Sequence, residues 1–244
     1  MGRLVLFALL VLGPAAAAAQ SPLVAEVETW ARRYHEDPAR LDSLRQRMLE
    51  AAQADPHVDN LLALARVSFL WGDIRATGTE AKLEAYDQGR QAARRATELA
   101  PRSAAAHFWY GATAGRWGQT KGVMRSLFLL PSVKRAIDTA LQLDPKFPPA
   151  YALAGNVYYE VPALVGGDLD RAEEMYRKGL QLAPRFTGMR VGLAKVLIKK
   201  GRPAEARREL QAVLDEQAPD NPADWTLKDR REARDLLATI RAAP

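Results

Sequence analysis

Between Pro148 and Phe186, small and aromatic residues recur at helical spacing in two runs. Tyr151, Ala154, Gly155 and Tyr158 form the first, and Leu169, Ala172, Tyr176, Gly179 and Leu180 the second, with Gly166-Gly167 between them. Such a pattern folds as a helix hairpin: the small residues let two helices approach and the large ones fill the space beside them. The pattern returns along the chain between terminal prolines, giving segments 58–103, 104–147, 148–186 and 187–220. A hairpin of this kind cannot bury its own apolar face and needs a neighbour on each side. The chain is therefore predicted to be all-α, one domain of stacked hairpins running from 20 to 244.

The segment from Pro148 resembles a tetratricopeptide (TPR) repeat, and Thr187 to Asp220 is similar to one at the family's bare length of 34 residues. The resemblance implies a right-handed helical solenoid of about five hairpins with a C-terminal capping helix. Residues 23–56 are read as a degenerate amino-terminal hairpin, and 226–241 as the closing helix, with Thr226 as its cap. The first three repeats are longer than the family's, and their extra residues enter between the paired helices. These residues either lengthen the helices or project from one edge as binding loops. Ile74 to Lys82 reads as a long connector. Gly115 to Pro131, apolar at Val123, Met124, Leu127, Phe128, Leu129 and Leu130, is too greasy for a free loop and is expected to pack on a neighbouring hairpin or a partner.

Residues 1–19 carry one positive charge, an apolar run from Leu4 to Leu12, a Gly13-Pro14 break and Ala17-Ala18-Ala19. These are the three parts of a secretory signal peptide cut after Ala19, which places the product in the periplasm, soluble and without stable membrane insertion. The chain has no cysteine, so disulfides, thiolate metal sites and cysteine nucleophiles are excluded. Its net charge of +6 is spread among many acidic neighbours without a dense basic run, which argues against nucleic acid. His35, His57 and His107 fall on three hairpins and form no ligand pair. No enzyme, metal or cofactor is expected. Glu160 is the best lone carboxylate, and it is expected to pair with Arg116 on the preceding hairpin.

In TPR proteins the first helix of each hairpin lines a concave groove. Carrying that geometry over places Leu62, Arg66 and Phe69, then Phe108, Ala112 and Arg116, then Ala152, Asn156 and Tyr159, then Val191, Lys195 and Ile198 along it, with Trp117 beside them. The candidate binding residues are thus Arg66, Phe69, Phe108, Arg116, Trp117, Asn156, Tyr159 and Lys195, a mixture of aromatic anchors and cationic or amide groups suited to a peptide with apolar side chains and a carboxylate. Chaperone-binding TPR domains hold a peptide carboxylate with lysines and asparagines on these helices; Arg66, Asn156 and Lys195 stand at comparable places, without the lysine one turn earlier. Phe69, Phe108 and Tyr159 are equally readable as core between repeats.

The run Tyr110-Gly-Ala-Thr-Ala-Gly-Arg-Trp-Gly118, with Lys121, Gly122, Ser126 and Leu127, then Ile137, Ala140, Leu143-Asp144-Pro145 and Gly166-Gly167-Asp168, resembles the T-component family of TRAP transporters. A similar arrangement, including the charged closing helix, is seen in the eukaryotic regulators of microtubule dynamics. The T-component resemblance spans about Leu61 to Ile240. It implies a secreted scaffold for protein–protein interaction that accompanies a periplasmic solute-binding protein, with a homo-oligomer left open. The other reading is a carrier holding a small hydrophobic or carboxylate ligand in the groove, within a dry pocket walled by Phe69, Phe108, Trp117 and Tyr159.

Overall fold

The computed structural model describes residues 21–242; the stretch read as a signal peptide, 1–19, lies outside the described residues. Ten helices pair into five hairpins: α1 (Pro22–Trp30) with α2 (Arg40–Ala54), α3 (Val58–Ile74) with α4 (Gly78–Leu99), α5 (Ala104–Lys121) with α6 (Val123–Leu143), α7 (Pro148–Glu160) with α8 (Leu169–Leu182), and α9 (Thr187–Lys199) with α10 (Pro203–Asp215). A short turn α11 (Pro222–Asp224), a π-helical stretch Trp225–Asp229 and a final helix α12 (Arg230–Ala242) follow. The described residues contain no strand, and the architecture is the expected TPR-like solenoid.

Local sequence sets where these helices start and stop. Ser21 and Ser103 each cap a helix by accepting from the amide three residues on, and Asp168 accepts from the Asp170 and Arg171 amides. Proline opens α1, α7 and α10, where its missing amide costs nothing. Ala100, Asp144 and Ala183 each end a second helix in non-helical geometry immediately before Pro101, Pro145 and Pro184. A following proline disfavours helical geometry in the residue before it, so the repeat boundary is written in one dipeptide.

The first helices α1, α3, α5, α7 and α9 touch one another in a continuous row, while the second helices pack chiefly on the first helices either side. The row therefore forms the inner, concave side of the stack. Apolar side chains from both layers make one large core in the amino-terminal half, another in the carboxy-terminal half, and a small cluster of Ala114, Val133, Ile137 and Ala154 between them. The tightest joint is at Tyr176. Its ring is 1% exposed and wedged between Gly155 of α7 and Gly192 of α9, where a Cβ would come within 2.6 and 2.5 Å of ring carbons.

The repeats longer than 34 residues resolve in two ways. In the second and third hairpins the extra residues lengthen the helices. The connector expected over Ile74 to Lys82 is only the turn between α3 and α4, and α5 passes into α6 at the single residue Gly122, whose φ of +113° requires glycine. Gly115 to Pro131 is accordingly helical, with Pro131 inside α6. Only the fourth hairpin keeps a projecting loop, Val161 to Gly167, containing a 3-10 turn over Ala163–Val165. The closing helix also begins earlier than expected. Asn221, not Thr226, is the cap, accepting from the Ala223 and Asp224 amides, because Thr226 lies within the π-helical stretch.

Candidate functional site

The concave row is not empty. The segment that follows α10 turns back across it and touches both ends of the solenoid. At the amino-terminal end the Ala223 amide donates to the Arg32 carbonyl at 3.1 Å, and the buried Tyr34 hydroxyl donates to Asp224 Oδ1 at 2.5 Å. Midway, Lys228 Nζ lies 3.7 Å from Asp73 at the end of α3. At the carboxy-terminal end Thr187 Oγ1 donates to Asp229 Oδ2 at 2.6 Å, Lys195 pairs with Glu232, and the Trp225 indole donates to the Val213 carbonyl at 2.8 Å. Ala223 is itself part of the amino-terminal core.

Against this arrangement the eight sequence-derived residues divide into three groups. Arg66, Phe69, Phe108 and Arg116 lie together in the amino-terminal half. Trp109 links them: its ring is 5.9 Å from Phe69, 5.0 Å from Phe108 and 5.9 Å from the Arg66 guanidinium, and Phe108 in turn meets Phe147 at 5.3 Å. These rings are half-buried, so they serve as core between repeats on one side and face the groove on the other. Asn156, Tyr159 and Lys195 lie in the carboxy-terminal half. Asn156 accepts from the Tyr176 hydroxyl at 2.6 Å, and Tyr159 lies beneath Lys199 Nζ at 3.8 Å. Trp117 belongs to neither set; it meets Arg90 of α4, Lys121 and Arg125, on the outer side of α5.

Several expectations are corrected by these contacts. Arg116 pairs with Asp73 at 3.0 Å, not with Glu160, which is exposed at the end of α7; the side chain turns to the hairpin before it instead of the one after. Of the carboxylate clamp expected from Arg66, Asn156 and Lys195, the two cations are already neutralised by Glu28 and Glu232, while Tyr176 engages Asn156 through its carbonyl oxygen. Val191 and Ala112 are buried and do not line the groove. Phe69, Phe108, Trp117 and Tyr159 do not share a pocket, since Trp117 turns toward Arg90 of α4, on a different side of α5 from Arg116 and Phe108.

Sequence reasoning missed Tyr34, Asp73, Thr187, Asp224, Lys228 and Asp229. The only local signal was Asn221-Pro222 with Asp224 behind it, which marks a helix start but says nothing of a partner 190 residues away. Burial, with the neighbouring Asp224 carboxylate, pushes the Tyr34 phenol far up and keeps it a donor. Asp229 is 7% exposed, and burial pushes it up to about 6 against the pull of the Thr187 bond, with Asp224 adding to the rise. Because that value lies above the unfolded one, this group makes the fold less stable as pH rises from about 4 through 6. Asp229→Asn keeps an acceptor for Thr187 and removes the charge. It is expected to raise stability by about 1–3 kcal/mol above pH 7 and to match the parent below pH 4, measured as urea midpoints across pH.

Beside Asp73 opens a polar cleft of about 410 Å³, lined by Asp73, Lys82, Tyr86, Arg116, Gln119, Thr120 and Lys228. Tyr86 donates to Asp73 Oδ1 at 2.7 Å, and Asp73 also pairs with Arg116 and approaches Lys228, so one phenol and two cations share one carboxylate. Among the described residues no cluster of three or more His, Cys, Asp or Glu side chains could hold a metal ion.

Comparison with known proteins agrees with this architecture and narrows its ancestry. The family model described as regulator of microtubule dynamics protein 1-3 matches residues 23–165, more than half of the chain, and a tetratricopeptide repeat model matches 166–230. Regulator of microtubule dynamics protein 3 of Rattus norvegicus is 27% identical over 178 residues, covering 63% of this chain and 38% of that protein. Regulator of microtubule dynamics protein 2 of the same species is 29% identical over 106 residues, 40% of this chain and 26% of that protein. The chain thus spans roughly two fifths or less of these relatives' length. Among solved structures, a thermophilic TPR protein of Thermus thermophilus superposes with a TM-score of 0.61 at 18% identity, covering 88% of this chain and all of that one. The pilF protein of Pseudomonas aeruginosa gives 0.53 at 17% identity, covering 89% and 88%. At such identities the structures share the fold alone. The matching models are thus the microtubule-dynamics regulator and TPR ones, not the T-component family.

Proposed function

We propose that this chain, which belongs to the regulator of microtubule dynamics protein 1-3 family, is an exported scaffold that seats a protein partner on its concave face. The observation that carries the reading is the groove's own occupant. A surface that closes on a helical segment of its own chain through Tyr34, Asp73 and Thr187 has the donors and acceptors to engage a similar segment of another. The half-buried rings of Phe69, Trp109 and Phe108, with Arg66 beside them, supply aromatic and cationic anchors of the kind that dominate interfaces. The favoured partner segment is amphipathic, with apolar and acidic side chains.

Export rests on the three-part pattern of residues 1–19. The most concrete partner, a periplasmic solute-binding protein of a TRAP-type transporter, rests on the sequence resemblance from Leu61 to Ile240. The role in microtubule dynamics belongs to the relatives' names. What we carry over is the scaffold, because the chain matches only part of those proteins.

Combined alanine substitution of Arg66, Phe108 and Tyr159 is expected to weaken partner capture at least tenfold, on the order of 1.4 kcal/mol or more, while the protein stays folded by circular dichroism. If capture is unaltered by these changes and is abolished by substitutions within Trp117 to Leu130, the groove reading is wrong. A second reading, a carrier of a small carboxylate ligand, is favoured by one feature: the cleft where Lys82, Arg116 and Lys228 converge. It predicts a ligand that co-purifies with the wild type and is lost in Lys82→Ala.

A further inference from the structure

The edge formed by α5 and α6 differs from the rest of the solenoid in both charge and exposure. From Leu99 to Ile137 the chain carries six basic residues, Arg102, Arg116, Lys121, Arg125, Lys134 and Arg135, and no aspartate or glutamate. At the Gly122 turn, the first turns of α6 leave Val123, Met124 and Phe128 exposed to 75, 81 and 73%. Helical geometry puts these three on one side of α6. Cations stand among them: the Arg125 guanidinium lies 5.7 Å from the Phe128 ring and 5.8 Å from Trp117, and Lys121 Nζ is also 5.8 Å from Trp117.

The neighbouring hairpin extends the same edge. Lys134 Nζ donates to the Gly166 carbonyl at 2.7 Å, tying to α6 the loop on which Leu164 is 100% exposed. Helices α5 and α6 have 18 and 21 residues against 13 and 14 for α7 and α8. At about 1.5 Å per residue, α5 is therefore about 8 Å longer than α7.

We propose that this apolar and basic tip of α5 and α6 docks the protein on an anionic lipid bilayer, with Val123, Met124 and Phe128 entering the interface and Lys121 and Arg125 meeting the lipid phosphates. Two complementary attractions act together here. Apolar burial at the headgroup boundary and electrostatic attraction to anionic lipid reinforce each other, as in interfacial amphipathic helices. A bilayer deforms around exposed apolar side chains of this kind and meets the flanking cations with its phosphates. No described helix is long and apolar enough to cross a membrane, so the contact is interfacial. It involves a different side of α5 from the concave face and does not compete with a protein partner there.

The absence of cysteine makes a site-resolved test simple. Met124→Cys on the edge, and Gln181→Cys on the exposed far end of α8, are each introduced into the full chain and labelled with a polarity-sensitive fluorophore. Each protein is mixed with phosphatidylcholine vesicles with or without phosphatidylglycerol. Both proteins carry the same residues 1–20, so a difference between the two labels isolates the edge. The expected result is a blue shift at position 124 alone, with the phosphatidylglycerol vesicles, and binding at least about tenfold weaker in Lys121→Glu/Arg125→Glu. Equal shifts at the two sites, no shift at 124, or the same shift with phosphatidylcholine alone would overturn the proposal. So would a shift that needs no vesicles and grows with protein concentration, which would assign the edge to a second copy of the chain.

Discussion

Replacing Gly192 with alanine is expected to destabilise the protein by about 3 kcal/mol, although the same change on an open helix face stabilises by up to about 1 kcal/mol. The added Cβ would stand 2.5 Å from Tyr176 Cζ and 2.7 Å from Cε1. The ring cannot retreat. Gly155 packs on its other side, leaving 2.6 Å to a Cβ there, and the hydroxyl is fixed to Asn156 Oδ1 at 2.6 Å. Tyr176→Leu alone is expected to cost about 2 kcal/mol through the space it vacates. In Gly192→Ala/Tyr176→Leu the new methyl fills part of that space, so the double variant should cost clearly less than the two changes added together. Urea unfolding of the four proteins measures the coupling; strict additivity would mean the ring is not wedged as described.

Glu173→Gln is expected to cost about 3 kcal/mol at pH 7. Glu173 is a buried carboxylate on α8 that accepts from Arg177 of its own helix and from Lys200 and Arg202 at the α9–α10 turn. Burial alone would raise its pKa. The bonds from Lys200, Arg177 and Arg202 outweigh burial and bring the group down to about 2. Since the folded value lies below the unfolded one, its contribution is complete above about pH 4.5 and disappears as pH falls from there through 2. The glutamine variant should accordingly unfold more easily than the parent at neutral pH, and the gap should close in acid. The opposite slope expected of Asp229 gives an internal control, because one protein then carries two buried carboxylates whose substitution moves stability in opposite directions at pH 7.

The fold was legible in the sequence because its information is local. Proline after Ala100, Asp144 and Ala183 ends each second helix, glycine and alanine mark each close approach, and the apolar period identifies the layers. The groove was only half legible. Placing Phe69, Phe108 and Arg66 on first helices follows from counting turns, and their neighbours in space are one repeat away. The closing segment could not be found this way. Tyr34 and Asp224 meet across 190 positions because of the curvature of the whole stack, which no single repeat encodes. Arg116 and Trp117 teach the same lesson at short range: adjacent residues on α5 face Asp73 and Arg90 on different sides, so a cluster read from sequence is split by about 100° of helical rotation. The extra residues of the longer repeats were ambiguous for a related reason, since a one-residue turn at Gly122 and a seven-residue loop at Val161 to Gly167 both occupy the space between two apolar runs.

The central claim is that the concave face seats a protein partner. It is tested most directly by capturing the protein gently from its own compartment and weighing it intact by native mass spectrometry, with the Arg66, Phe108 and Tyr159 triple alanine variant captured in parallel. The account predicts a defined complex with one other protein for the wild type and the uncomplexed chain for the folded triple variant. The same complex from both proteins, or a bare wild-type chain carrying only a small-molecule adduct, would contradict it.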